Sequence, residues 1–474
     1  MNVSSVKNEY KNLLVTFLFF SLLSLTLIFS IDDFAWGTSL GIERFSSNFE
    51  DYNGRYIGNY VVLLITRYPV IRMLIYGVVN TGIVFFMYRI LNRKVPYYII
   101  LSLTLLMPLD LYRQTYGWLS GFANYNVPVF FLLWLVYLFM KKEKNILVIA
   151  ASFAISVNIQ LYLENITVVN CVVTGILVVW ALLSKKNRIW SISVFLGMVL
   201  GALVMFSNTA YSSNTTNRGL SNIDLSFMWS NYFTQWSELF FKSNVLLIIL
   251  LCVGLLLITK KNRLVTFFSV STMIYFVMRY ILNIHWKQLP TKWLYLEGLF
   301  IIVILLFSLF VVLKSEKLTE KIKINFIIFF LLGGLYAGPF LVLQIDDQAF
   351  IASRNVYASY ILFLISFLQL YVPTLEQVKI KNREIIKIVG ISLMLIFLVI
   401  SGTNKVFDIK RMDYTINQID AGAKEVKIQR LPFEQLSFPW ALSEDSRFIN
   451  PFKEYYGIPK EVKIYPKPIK NKYN

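Results

Sequence analysis

Two adjacent carboxylates, Asp32-Asp33-Phe34, follow the first long apolar run directly, and Tyr52-Asn53-Gly54-Arg55-Tyr56 lies in the same polar stretch. Paired acids at a membrane–water boundary are costly to desolvate, and like-charge proximity raises the pKa of one of them. One of them could take a proton from an acceptor hydroxyl during group transfer. The same pair also reads as a solvated stop signal or as helix-terminal charge. A second cluster, Trp118-Leu119-Ser120-Gly121-Phe122-Ala123-Asn124-Tyr125, mixes aromatic faces with amide and hydroxyl groups. That composition suits stacking on and hydrogen-bonding a sugar, with Trp118, Asn124 and Tyr125 as candidate contacts, and equally suits an interfacial turn. A third is Asp346-Asp347 followed by Arg354, whose planar guanidinium could clamp a phosphate through two bonds or pair with either acid. Arg55, Arg67, Arg113, Arg279 and Lys292 are further cations, and the single histidine, His285, stands beside Trp286.

The missing motifs narrow the chemistry. There is no GxxxxGK[ST], no GxGxxG after a strand, no HExxH and no cytoplasmic loop large enough to fold a nucleotide site. Cys171 and Cys252 both sit inside apolar runs and read as core residues. Either acid pair could bind a divalent cation, but no third oxygen ligand is identifiable; arginine can meet a phosphate charge instead, so no metal or other cofactor is expected. An enzyme of this kind draws its activated group from a carrier already in the membrane, such as a polyprenyl-phosphate sugar or a phospholipid.

The elements that must hold these residues are membrane helices. Of 474 residues, 57% are hydrophobic and only 15% charged, and the mean hydropathy is +0.59, so the chain needs a solvent other than water. The length rule places spans near 13–31, 70–90, 95–109, 127–140, 145–162, 166–183, 189–206, 244–259, 264–283, 294–313, 324–343, 355–370 and 385–402, about 13 crossings. The stretch 57–65 is too short to cross and is expected in the interface or as a re-entrant helix. The net charge of +19 is concentrated in short clusters such as Lys185-Lys186-Asn187-Arg188. They mark cytoplasmic loops facing anionic lipid, not a nucleic-acid surface. With the N-terminus inside, the loops 89–94, 141–144, 184–188, 260–263, 314–323 and 376–387 are all cytoplasmic, and every Asp falls outside. Trp36, Trp118, Trp229, Trp236, Trp286 and Trp293 then form an outer interfacial belt.

Two parts are expected: a transmembrane region, 1–402, with chemistry on its outer loops, and an extracytoplasmic segment, 403–474. In the latter, Lys424-Glu425-Val426-Lys427-Ile428 recurs as Lys460-Glu461-Val462-Lys463-Ile464, which predicts paired strands after a helix near 404–421. Gly197/Gly201 and Gly334/Gly338 match the small-xxx-small pattern of close helix contact.

One helix, then Asp-Asp at the outer membrane edge, then a loop with a short interfacial helix resembles the GT-C superfamily of polytopic membrane glycosyltransferases. Asp32-Asp33-Phe34, the 52–56 motif, the 118–125 cluster and Arg354 are similar to a bacterial branch of GT-C-like proteins, over a stretch from about residue 13 into the tail. The resemblance implies an acid acting as base or orienting the acceptor, which falls to Asp32 or Asp33. It implies outer arginines on the lipid phosphate, which falls to Arg354 and Arg55. The expected reaction moves a sugar from polyprenyl phosphate to a cell-envelope glycan or teichoic acid, with inversion and without metal. A polymerase or ligase of lipid-linked glycans, or a flippase for them, is the rival reading; internal symmetry and mid-membrane charges would favour the flippase.

Overall fold

In hydrocarbon every backbone N–H and C=O must be satisfied within its own segment, so the apolar runs form helices. The computed structural model describes residues 3–141, 144–212, 227–236, 238–239, 244–259, 262–284, 286–341, 351–377, 380–438, 444 and 446–467. Helix α1 (Val3–Thr26) is followed after a short break by α2 (Ile31–Gly37), the two axes bent by 87°. Then come α3 (Ser39–Ser46), α4 (Tyr56–Arg67), α5 (Pro69–Ile90), α6 (Tyr97–Leu105), α7 (Leu109–Thr115) and α8 (Leu119–Met140), which opens through a π-helical turn at Phe122–Asn126. The next principal helices are α9 (Ile146–Ile159), α10 (Glu164–Ser184), α11 (Arg188–Phe206), α12 (Val245–Ile258), α13 (Arg263–Ile281) and α14 (Thr291–Lys314). The last are α15 (Glu320–Ala337), α16 (Tyr357–Gln369), α17 (Ile380–Asp420) and α18 (Ile449–Tyr456), the final one lying between strands β1 (Glu425–Ile428) and β2 (Lys463–Pro466).

Among the described residues, eight helices are long and apolar enough to cross a bilayer, or nine with the bent pair α1–α2 taken as one span. That is fewer than the 13 expected. At four of the expected positions the helix is short: α6 has nine residues, α16 has 13, and α9 and α12 have 14 each. At ~1.5 Å per residue, 14 residues reach about 21 Å, less than the ~30 Å hydrocarbon core. The reason is plainest at α16, where every residue from Tyr357 to Gln369 is buried. A helix apolar all round is either lipid-facing or sheathed by protein, and hydropathy does not separate the two. The expected interfacial segment forms α4, 12 residues long, with Val62, Leu63 and Ile65 buried against its neighbours.

Helix α1 packs on α5 and α17, α9 on α11, and α15 on α16. The two glycine pairs differ. A β-carbon at Gly201 would stand 2.6 Å from the Val157 carbonyl oxygen, and one at Gly197 would stand 2.8 Å from that of Phe153, so α11 needs both glycines to approach α9. Around Gly334 and Gly338 there is open space, and that pair makes no such contact within the described chain. The tryptophan belt is only partly a belt. Trp229 and Trp293 are exposed, but Trp36 and Trp118 are core residues, 2% and 6% exposed.

Three of the basic loops, and Glu376 of a fourth, meet at one end. Glu9 of α1 bonds Arg89 at 2.9 Å and Arg93 at 3.0 Å, Lys94 pairs with Glu376 at 3.0 Å, and Lys141 and Lys321 flank the same place. Asp32 and Asp33 lie at the other end of α1. The expected last span and the helix after it are one rod, α17, of 41 residues or about 60 Å, roughly twice a hydrocarbon core. The two KEVKI copies form a parallel pair shifted by two residues, with Val426 opposite Ile464 and Glu425 opposite Lys463. A shift of two preserves the faces, so Val426, Ile428, Val462 and Ile464 are all buried.

Candidate functional site

The bend after α1 is held by Asp33. Its backbone N–H donates to the Ser30 carbonyl oxygen at 2.6 Å, and its Oδ2 accepts the Ser30 N–H at 3.0 Å, capping the first turn of α2. Its Oδ1 accepts both the N–H and the hydroxyl of Ser120, at 2.9 and 2.6 Å. One carboxylate therefore ties the start of α2 to the start of α8. Asp33 is fully enclosed, and burial pushes its pKa up to about 7 against these three hydrogen bonds, with Asp32 adding repulsion. As it stands it meets no acceptor.

Asp32 turns another way, because successive residues on a helix point about 100° apart. It is half-buried, and among the described residues it makes neither a hydrogen bond nor an ion pair. Burial raises its pKa; the charges of Arg447, Arg44, Arg354 and Arg55, in falling order, oppose that rise. These four guanidinium groups act on the carboxylate by charge, and none of them bonds to it among the described residues.

Arg354 is held by name. Its Nε donates to Tyr125 Oη at 3.1 Å and its Nη1 to Gln114 Oε1 at 3.0 Å, with the guanidinium carbon 5.3 Å from the Trp118 ring centre. Gln114 is aimed by Asp110, whose Oδ2 accepts from its amide at 2.9 Å and also from the Ser353 hydroxyl. Tyr125 Oη in turn donates to Asn355 Oδ1 at 3.0 Å. Among the described residues the Arg354 Nη2 has no hydrogen-bond partner.

Of the residues singled out in the sequence, Trp118, Tyr125 and Arg354 meet in this network, while Asp33 and Asn124 meet at Ser120 of α8, where Asn124 Nδ2 donates to the Ser120 carbonyl oxygen at 2.9 Å. Trp118 offers no open platform. It stacks on Phe438 with ring centres 4.4 Å apart and planes 11° apart, so the C-terminal segment itself covers a face expected for a sugar. Its Nε1, and the Oδ1 of Asn124, are buried without a partner among the described residues, a costly state that a bound water or ligand group relieves. Arg55 is committed elsewhere. Its Nε and Nη2 bind both oxygens of Glu164, at 3.0 and 2.6 Å, and Tyr211 Oη donates to the same carboxylate at 2.7 Å. Arg55 acts on Asp32 only by charge at a distance. His285, Asp346 and Asp347 lie outside the described residues.

Arg44 and Arg447 were not anticipated. Arg44 lies in the stretch between Asp33 and Arg55 and packs its guanidinium 4.2 Å from the Tyr52 ring centre. Arg447 comes from the C-terminal segment, which reaches the site because Phe34 packs on Phe452, Tyr455 and Tyr456 of α18. Ser30 Oγ also donates to the Phe438 carbonyl oxygen at 3.2 Å. Among the described residues of the C-terminal segment, Phe438 and α18 thus wall the site.

No family model, curated protein or solved structure matches this chain.

Proposed function

We propose that this chain is a membrane glycosyltransferase of the GT-C type, moving a sugar from a polyprenyl-phosphate donor to a cell-envelope acceptor with inversion. The observation that carries the reading is Asp32: a half-buried carboxylate just past α1 that has no hydrogen bond or ion pair among the described residues and feels the charges of Arg447, Arg44, Arg354 and Arg55. In the proposed step Asp32 takes the proton of the acceptor hydroxyl, whose oxygen bonds to the anomeric carbon. The bond from that carbon to the phosphate oxygen breaks, and polyprenyl phosphate leaves with the electron pair. Arg354, Arg44 and Arg447 meet the charge growing on the phosphate, a task that asks for no metal. Asp33 positions Asp32 and the start of α8, and Trp118, Asn124 and Tyr125 shape the sugar side. The natural acceptors are an envelope glycan or teichoic acid.

The test is transfer by the purified protein in a bilayer, supplied with polyprenyl-phosphate hexoses and a hydroxyl acceptor. Release of polyprenyl phosphate together with a product of inverted anomeric configuration is expected. Retained configuration would remove the single-displacement mechanism. A polymerase or ligase of lipid-linked glycans is the second reading, favoured by the number of arginines about a single acid; it predicts that transfer survives loss of Asp32.

The proposed orientation puts the N-terminus in the cytoplasm and the Asp32 end outside. It is supported by the convergence of basic loops around Glu9, at the end of α1 away from the acids. Single cysteines at Asn417 and Asn187, both exposed, report on this. The first should label from outside intact cells and the second should not; the reverse pattern would invert the topology.

A further inference from the structure

At the end of the bundle opposite Asp32, a cavity of about 410 Å³ is lined by Arg89, Arg93, Tyr137, Lys141 and Lys321, with Asn92 at its rim. Basic residues that merely mark a cytoplasmic face have no reason to converge. Here they come from three separate stretches: the end of α5 and the turn after it, the end of α8, and the start of α15. Arg89 and Arg93 are held in place by one carboxylate, Glu9, at 2.9 and 3.0 Å, and all three side chains are largely buried. Arg89 Nη2 also donates to Tyr137 Oη at 3.0 Å, and Lys141 Nζ stands 5.3 Å from the Tyr137 ring centre. Asn92 and Arg93 are both left-handed, with φ of 54° and 62°, a conformation unfavourable for residues other than glycine. That turn sends Arg93 back against Glu9.

Four cations against the one carboxylate leave three positive charges around the cavity, among the described residues. Glu320, the nearest acid in sequence to Lys321, is engaged by Lys323 at 2.9 Å. The Nε of Arg93 is buried without a partner among the described residues. A volume of this size falls in the range of small-molecule sites, ~300–1,000 Å³.

We propose that this cavity binds a phosphate-bearing anion, most simply the phosphoglycerol headgroup of an anionic lipid in the leaflet at that end. It stands on its own residues and does not rest on the transferase reading. Cationic pockets between membrane helices recognise such headgroups by charge together with a few fixed donors, here Arg93 and Tyr137. Arg89, Arg93 and Tyr137 are already paired within the wall, so the two exposed lysines supply the adjustable contacts.

The experiment uses the full-length protein in mild detergent, titrated separately with phosphatidylglycerol and phosphatidylcholine of the same acyl chains, with bound lipid counted by native mass spectrometry. Phosphatidylglycerol should be retained at least about tenfold more strongly than phosphatidylcholine. The double variant Lys141→Gln/Lys321→Gln changes two exposed side chains and should fold normally. Each lysine near a membrane surface is worth about 1 kcal/mol, so the double variant should lose about 10- to 30-fold in phosphatidylglycerol binding. Arg93→Gln provides a second variant within the cavity. Adding inorganic phosphate separates the sources: displacement of the lipid at millimolar concentration assigns the cavity to the phosphate group itself, and no displacement assigns it to the lipid-borne headgroup. Equal retention of the two lipids, or wild-type binding by both variants, would overturn the proposal.

Discussion

Asp32→Asn is expected to cut sugar transfer by a factor of about 10²–10⁴, the usual worth of a positioned general base. The substitution leaves the shape of the site nearly unchanged, since Asp32 makes no hydrogen bond or ion pair among the described residues that an amide would break. Expression and thermal stability should therefore stay at wild-type levels while turnover falls. Asp33→Asn should behave differently. Both Asp33 oxygens accept N–H or O–H groups, so an amide places its own donor against either Ser30 N–H or the two Ser120 donors. Leaving buried donors without an acceptor costs about 1–3 kcal/mol, so this variant should lose stability as well as activity. Measuring transfer and thermal midpoint for both variants separates the roles. Full transfer by Asp32→Asn, alongside a stable but inactive Asp33→Asn, would move the base to Asp33. Full transfer by both would end the general-base mechanism and favour the ligase reading.

The acid pair shows how far a sequence of this kind can be read. Adjacency to the first apolar run located both residues at the end of α1. It did not show that α2 begins at Ile31, and only the helix start decides which carboxylate turns inward as a cap and which faces the arginines. The 118–125 cluster and Arg354 were legible as residue types suited to a polar ligand. What their composition concealed was local occupancy: Trp118 spends its face on Phe438 and Arg55 spends its fork on Glu164. Such partners lie far along the chain, and no periodicity reports them. Arg447 was out of reach for the same reason. Helix type followed from hydropathy nearly everywhere, but span count did not, because α16 is as apolar as a lipid-facing helix while lying wholly inside the protein. The glycine pairs make the same point, identical as patterns yet with a crowded neighbour only at Gly197 and Gly201.

Arg354→Lys should reduce transfer about 10- to 100-fold although the charge is conserved. Arg354 uses two edges of its fork on protein, Nε on Tyr125 and Nη1 on Gln114, and so holds Nη2 in a fixed direction for a ligand oxygen. A lysine ammonium is a single point on a flexible stem. If it bonds Gln114 it no longer presents a second donor at the Nη2 position, and its positive charge is more strongly hydrated. Arg354→Ala removes the cation as well and should cost about 10²–10³ in kcat, the scale of losing one donor aimed at charge that develops in the transition state. Tyr125→Phe supplies the control for positioning: it keeps the ring and removes only the oxygen that accepts from Nε, so a smaller loss is expected, with the Lys variant insensitive to the same change. The informative measurement is kcat and KM for a polyprenyl-phosphate donor across these variants. A ground-state phosphate contact would raise KM alone, whereas stabilisation of the departing phosphate lowers kcat. If Arg354→Lys turns over at the wild-type rate with unchanged KM, then Arg354 only braces Tyr125 and Gln114, and the phosphate falls to Arg44 and Arg447, the two cations that approach Asp32 from α3 and the C-terminal segment.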